Sequence, residues 1–211
     1  MAEAETDEPE VDGADDGEDP QLDEETLERR RQALGEVRQF GDPVLKSKAS
    51  EVTEFGTELE HEAERMIGLM RGALGIGLAA TQLGLMRRLL VFQSGPDIEP
   101  RAVVNPEVEW SSGELVVAEE GCLSLADVIV DVERPLHARI TAVDLAGAPM
   151  LLEASGLEAR VLQHEIDHLD GVLILDRTER SQRRAALRAL RNGEHFDPAM
   201  LEPPEDEPGP E

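Results

Sequence analysis

The stretch Leu157–Leu169, LEARVLQHEIDHL, decides how this chain folds. Its apolar residues Leu157, Val161, Leu162, Ile166 and Leu169 keep the helical period, so one face belongs in a core. Inside that pattern lies His164-Glu165-Ile166-Asp167-His168, an H-E-x-x-H sequence. Histidines four residues apart stand one turn apart on the same helix face, so both imidazoles reach one metal ion. A carboxylate beside the first histidine can hold and deprotonate a water that the ion activates. The spacing therefore predicts a central metal-binding helix.

A site of this kind needs a third protein ligand. A third histidine of the H-E-x-x-H-x-x-G-x-x-H pattern is missing: Gly171 fits, but the last position is Ile174. A glutamate on a following helix would have to be Glu179, which opens the next element and is a weak candidate. The remaining candidate is Cys122, the one thiol of the chain, in Glu120-Gly121-Cys122-Leu123-Ser124. Considered alone, a single thiol is more simply a small buried hydrophobe.

Working outward, Leu59, Ile67, Leu69 and Met70 predict a helix over Thr57–Arg71, with Thr57 as N-cap and Gly72 at its end. Arg88–Gln93 (RLLVFQ) reads as a strand, and Arg101–Trp110 as another, interrupted at Asn105-Pro106. Leu115–Ala118, Val128–Val132 and Arg139–Leu145 are further β-rich runs, with a hairpin turn at Ala146-Gly147. Thr178–Asn192 is an Arg-rich helix closed by Gly193. The expected fold class is α+β: short antiparallel or mixed sheets around the H-E-x-x-H helix, with an N-terminal and a C-terminal helix.

The 211 residues carry 47 acidic and 20 basic side chains, a net charge of −27. Residues 1–28 hold 14 of the acids and residues 194–211 hold 7, with no Lys or Arg in either stretch. The middle then has 26 acids against all 20 bases and is ordinary in charge. Dense like charge with Pro and Gly predicts disorder, so residues 1–34 are expected as a disordered acidic extension, 35–193 as the catalytic domain and 194–211 as a disordered tail. Residues 23–34 have helix-forming composition and read as a short helix or a linker. Sequence-specific nucleic-acid binding does not suit this charge. A single cysteine excludes an intramolecular disulfide framework, and no apolar run reaches membrane-spanning length. A cytoplasmic protein is expected.

Three motifs occur in order: Gly75-Ile76-Gly77-Leu78-Ala79-Ala80-Thr81-Gln82, Glu120-Gly121-Cys122-Leu123-Ser124, and Gln163-His164-Glu165-Ile166-Asp167-His168. Together they resemble the signature of the peptide deformylases, GxGLAAxQ, EGCLS and QHExDH, over roughly Val37–Arg191. The resemblance implies removal of the formyl group from the formyl-methionine of nascent polypeptides, with release of formate. It implies Cys122, His164 and His168 as ligands of one divalent metal per chain. That metal is usually Fe²⁺ in the family, with Zn²⁺, Ni²⁺ or Co²⁺ able to replace it. It implies Glu165 as general base and acid, and Gln82 and the Leu123 N–H as donors to the formyl oxygen. Ile76 and Gly77 would pair with the substrate backbone, and Ile76 and Val161 would line the methionine pocket, with Ala118 and Leu125 as further lining.

There are departures. Ala126 stands where many members have proline, and Val128-Ile129-Val130 lack the polar residue often found in what reads as a loop to Arg134. These departures bear on the substrate rim, not on the metal site. Arg134, Glu120 and Asp167 are candidates for a buried charge group that orients the ligands, while Ser124 reads as a turn hydroxyl or as a support behind the site. The arginines of the last helix (Arg177, Arg180, Arg183, Arg184, Arg188 and Arg191) read as a solvated face or as a ribosome-docking face. An H-E-x-x-H zinc peptidase, or a family member retained only for binding, are the competing readings.

Overall fold

The computed structural model describes residues 22–201. Its helices are α1 (Glu24–Gly35), α2 (Thr57–Gly72), α3 (Gly156–Leu169), the single turn α4 (Ile174–Arg177) and α5 (Arg180–Asn192). Its strands are β1 (Gly77–Ala79), β2 (Leu89–Phe92), β3 (Arg101–Ser111), β4 (Leu115–Cys122), β5 (Leu125–Pro135), β6 (His137–Val143) and β7 (Pro149–Ser155). An antiparallel five-stranded sheet runs β1-β2-β3-β6-β7, and β4-β5 form a separate hairpin.

The run Leu89-Leu90-Val91-Phe92 explains the layering. All four side chains are buried, which needs cover on both faces of the sheet. Leu90 and Phe92 pack with Leu162, Ile166 and Leu169 of α3. Leu89 and Val91 pack with Leu59, Met66 and Met70 of α2. The hairpin has its own core, in which Val128, Val130 and Val132 meet Ala186 and Ala189 of α5. The α3 helix thus lies under the five-stranded sheet and contacts the hairpin as well, and its H-E-x-x-H residues sit between the two.

Most expected elements are present, with corrections. The N-cap of α2 is Gly56, not Thr57. The interruption at Asn105-Pro106 is a register irregularity within β3. There the Asn105 amide accepts from the Val52 N–H (2.8 Å) and donates to its carbonyl (2.9 Å). Val128–Val130 belong to a strand rather than a loop, and Val128 and Val130 are buried core.

The disordered extension expected to reach residue 34 is corrected by α1. Asp23 accepts from the Thr26 N–H (2.7 Å) and caps the helix, and Ala33 is buried against Gly72 of α2. The tail expected to be disordered from residue 194 is corrected too. Phe196 is buried, donates its N–H to the Asp127 carbonyl (2.9 Å) and accepts from the Ile129 N–H (2.8 Å). Residues 1–21 and 202–211, on which the rest of both expectations falls, lie outside the described residues.

Gly171 turns the chain after α3 at φ +73°, and a Cβ there would stand 2.7 Å from the Lys46 carbonyl carbon. Gly171→Ala is expected to destabilise the fold by ~1–3 kcal/mol, the cost of a strained backbone position. Urea unfolding checks this; an unchanged midpoint would contradict the assigned turn.

Candidate metal centre and active site

Cys122 ends β4, where a register shift after Gly121 turns the strand through Leu123-Ser124. Its thiol faces the buried side of α3. There the ligand atoms of Cys122, His164 and His168 lie within 4.8 Å of one another. The sulfur is 3.2 Å from His168 Nε2, and the two imidazoles meet edge to face with centroids 4.9 Å apart. Neither Glu179 nor any residue after α3 joins this group, the one such cluster among the described residues. Of the candidates for a third ligand, Cys122 is the one placed beside both histidines.

A buried charge network backs the cluster. His164 Nδ1 is 2.9 Å from Glu120 Oε2. Arg134 holds Glu120 through two hydrogen bonds (2.6 and 2.9 Å) and Asp167 through a third (2.9 Å). Burial opposes ionisation of Glu120, but hydrogen bonds from His164 and Arg134 overcome it and hold the carboxyl down at about 2. A carboxylate on the outer nitrogen of a ligating histidine fixes its tautomer and ring plane. Burial works against protonation of His164, yet its contacts with Cys122 and Glu120 raise its pKa well above the ordinary value. Burial lowers that of His168, and the neighbouring His164 lowers it further.

Glu165 projects from α3 toward β1. A Cβ on Gly77 would stand 2.8 Å from its carboxyl carbon and 2.9 Å from its Cγ, so only glycine fits beside it. Glu165 is 4% exposed, and its Oε2 has no hydrogen-bond partner. Burial pushes its carboxyl up to about 7, against the pull of His164 and Arg134. A carboxyl poised near neutrality suits a group that both takes and returns a proton.

These groups open into a cleft of about 1010 Å³, whose walls include Ile76, Gly77, Gln82, Leu123, Leu125 and Val161. Ala118 is not on its wall. Gln82 is fixed by accepting from the Ala79 N–H (2.9 Å) and donating to Ser124 Oγ (3.2 Å), with the Cys122 sulfur 3.7 Å from its amide nitrogen. The Ser124 hydroxyl therefore supports Gln82, the second of the two readings its position allowed.

The polypeptide deformylase family model matches residues 34–184. The chain belongs to that family. The peptide deformylase of Thermotoga neapolitana is 44% identical over 147 residues, covering 70% of this chain and 88% of the relative. Peptide deformylase 1 of Corynebacterium glutamicum is 41% identical over 167 residues, covering 78% of this chain and 99% of the relative. Among solved structures, the Synechococcus elongatus peptide deformylase in complex with actinonin superposes with a TM-score of 0.70 at 38% identity, covering 79% and 91% of the two chains. Arabidopsis thaliana peptide deformylase 1B does so with 0.72 at 34%, covering 74% and 88%. The chain is thus a deformylase-family hydrolase with an α+β fold and a Cys-His-His group able to hold a metal. No helix among the described residues is long and apolar enough to cross a membrane.

Two members of this deformylase site escaped the sequence reading. Arg160 donates to Glu120 (2.6 Å) and to the Val132 and Val116 carbonyls (2.9 and 2.6 Å). Its signal was its position one turn before His164 on the same helix face. Arg177, read as part of the basic helix, sits in α4 and bonds Asp167 (3.1 Å) instead.

Proposed function

We propose that the protein removes the formyl group from the N-terminal formyl-methionine of newly made polypeptides. The observation that carries this reading is the convergence of Cys122, His164 and His168 beside a buried, unpartnered carboxylate oxygen of Glu165. The donor set fits a divalent ion: one thiol and two imidazoles, one of them with its outer nitrogen held by Glu120. A thiol among the donors suits the softer divalent metals, and Fe²⁺ is the proposed occupant, with Zn²⁺, Ni²⁺ or Co²⁺ able to replace it. When bound, the ion supplies Lewis acidity and lowers the pKa of water from ~16 toward ~7.

The chain's own residues do the rest. Glu165 takes the proton of the attacking water at its free Oε2. The Gln82 amide and the Leu123 N–H hold the formyl oxygen as it gains charge, each such donor being worth ~2.7–4 kcal/mol of barrier. Glu165 then returns the proton to the leaving amine. β1 is an edge strand. The Ile76 carbonyl accepts from the Gln93 N–H (2.8 Å), so antiparallel alternation turns the polar groups of Gly77 outward for an added peptide strand. Ile76, Leu125 and Val161 receive the methionine side chain.

Formate release from formyl-Met-Ala-Ser by anaerobically purified protein tests the reading. Release that chelator treatment abolishes and Fe²⁺ restores is expected. Cleavage of an internal peptide bond, or turnover unaffected by the chelator, would overturn it.

The ribosome is the proposed partner of α5. Gln182, Ala186 and Ala189 bury one face of this helix. Arg180, Arg184, Arg188 and Arg191 stand exposed on the other, without a carboxylate partner among the described residues. Clustered arginines suit a phosphate-rich surface. Affinity for ribosomes that falls steeply with salt and is lost on changing these four to Ala is expected. Equal binding by the variant would remove the assignment.

A further inference from the structure

We propose that α1 forms the outer end of the substrate cleft, and that Arg30 selects formylated peptides with a carboxylate side chain at their third or fourth residue. The inference rests on the deformylase reading above and concerns a helix outside the shared family core, since the family match begins at residue 34.

Leu22, Arg30 and Leu34 are on the wall of the same cleft that holds Cys122, His164 and Glu165. Arg30 and Leu34 are four apart, so they share one helix face. The helix is held in place: Ala33 is buried against Gly72, and Glu36 at its end pairs with Arg65 at 2.8 Å. Gly77 lies against Glu165 at the inner end of the cleft. The chain before β1 turns at Leu74 (φ +60°) rather than continuing as a strand. A peptide paired antiparallel to the free edge of β1, with its formyl end at Glu165, therefore leaves that edge after Gly77 and passes out along the cleft toward its α1 wall. At ~3.3 Å per residue its third or fourth residue falls there.

The charge of Arg30 is available there. Arg29 donates to Thr26 Oγ1 (3.2 Å), and Arg31 pairs with Glu28. Arg30 is exposed and has no carboxylate partner among the described residues. The other unpaired exposed charges of the cleft wall among the described residues, Glu119 and Asp127, sit on the β4–β5 hairpin; at the α1 end the guanidinium attracts a carboxylate and rejects an ammonium.

The test compares kcat/KM for formyl-Met-Ala-Glu-Glu-Ser and formyl-Met-Ala-Lys-Lys-Ser in the full chain, in Arg30→Ala, in Arg30→Glu and in Arg30→Lys. The wild type is expected to prefer the acidic peptide by about two- to five-fold, the size of a partly exposed charge pair. The preference should reside in KM, shrink in high salt, vanish in Arg30→Ala, reverse in Arg30→Glu and survive in Arg30→Lys. The same acid-to-lysine ratio in all four proteins would overturn the proposal. Wild-type formate release from formyl-Met-Ala-Ser, which ends short of the fourth residue, reports separately on the parent reading.

Discussion

Glu165→Gln is expected to lower kcat by ~10²–10⁴-fold, the range for loss of a positioned acid–base group, while metal stoichiometry stays at that of the wild type. Glutamine keeps the shape that Gly77 accommodates but cannot accept the proton. The loss should appear in kcat rather than KM, because the cleft walls are unchanged. A variant turning over within threefold of wild type would remove Glu165 from its role. The same substitution carries a second signature in chelator-stripped protein. Burial raises the Glu165 carboxyl from its ordinary 4.5 to about 7. The folded chain therefore prefers the protonated form, and stability is lost as pH rises between those two values. Stripped Glu165→Gln should match wild type at pH 5 and exceed it at pH 8 by up to about 3 kcal/mol. Urea unfolding at both pH values checks this, and a pH-independent difference would sink it.

Arg134→Met is expected to cost ~3–5 kcal/mol of stability, the penalty for breaking a buried ion pair from one side. Arg134, Glu120 and Asp167 are all buried, so removing the guanidinium leaves two carboxylates short of compensation at the centre of the fold. Arg160 and Arg177 each retain one of those carboxylates, which places the effect at the lower end of the range. Glu120 also fixes His164, so metal affinity should fall by ~10–100-fold, as for other supporting residues of metal ligands. A double variant adding Glu120→Gln should regain part of the stability but not the affinity. A loss below 1 kcal/mol in Arg134→Met would show that water already reaches this network.

The sequence was legible wherever burial imposed a pattern. α2 and α3 each bury a stripe and could be placed within a residue or two, and the apolar run Leu89–Phe92 was legible as a strand. What was not legible depended on single contacts. α1 is held to the body mainly through Ala33 meeting Gly72, and one alanine makes no stripe in a Glu- and Arg-rich segment. β7, PMLLEAS, alternates in burial, but its outward Leu151 is apolar and its inward Ala154 small, so the sequence shows no clear alternation. The return of Phe196 to β5 rests on one aromatic in an acidic stretch. At the site, spacing gave the two histidines, and the resemblance gave the thiol and Gln82. Arg160, Arg177 and the role of Ser124 belong to contacts between elements far apart in sequence, which no local pattern encodes.

The double-sided burial of β2 also bears on the chain before it folds. Leu89-Leu90-Val91-Phe92 is uncharged, lacks Pro and Gly, and has strong β propensity, the profile of a segment that stacks with copies of itself. Its two faces are covered only when both α2 and α3 are in place, and α3 lies more than sixty residues later in the chain. Arg87 and Arg88 stand at its entrance. In the folded protein they pair with Glu62 and Asp170 (2.9 and 2.7 Å); in the unfolded chain their adjacent charges act as gatekeepers against aggregation.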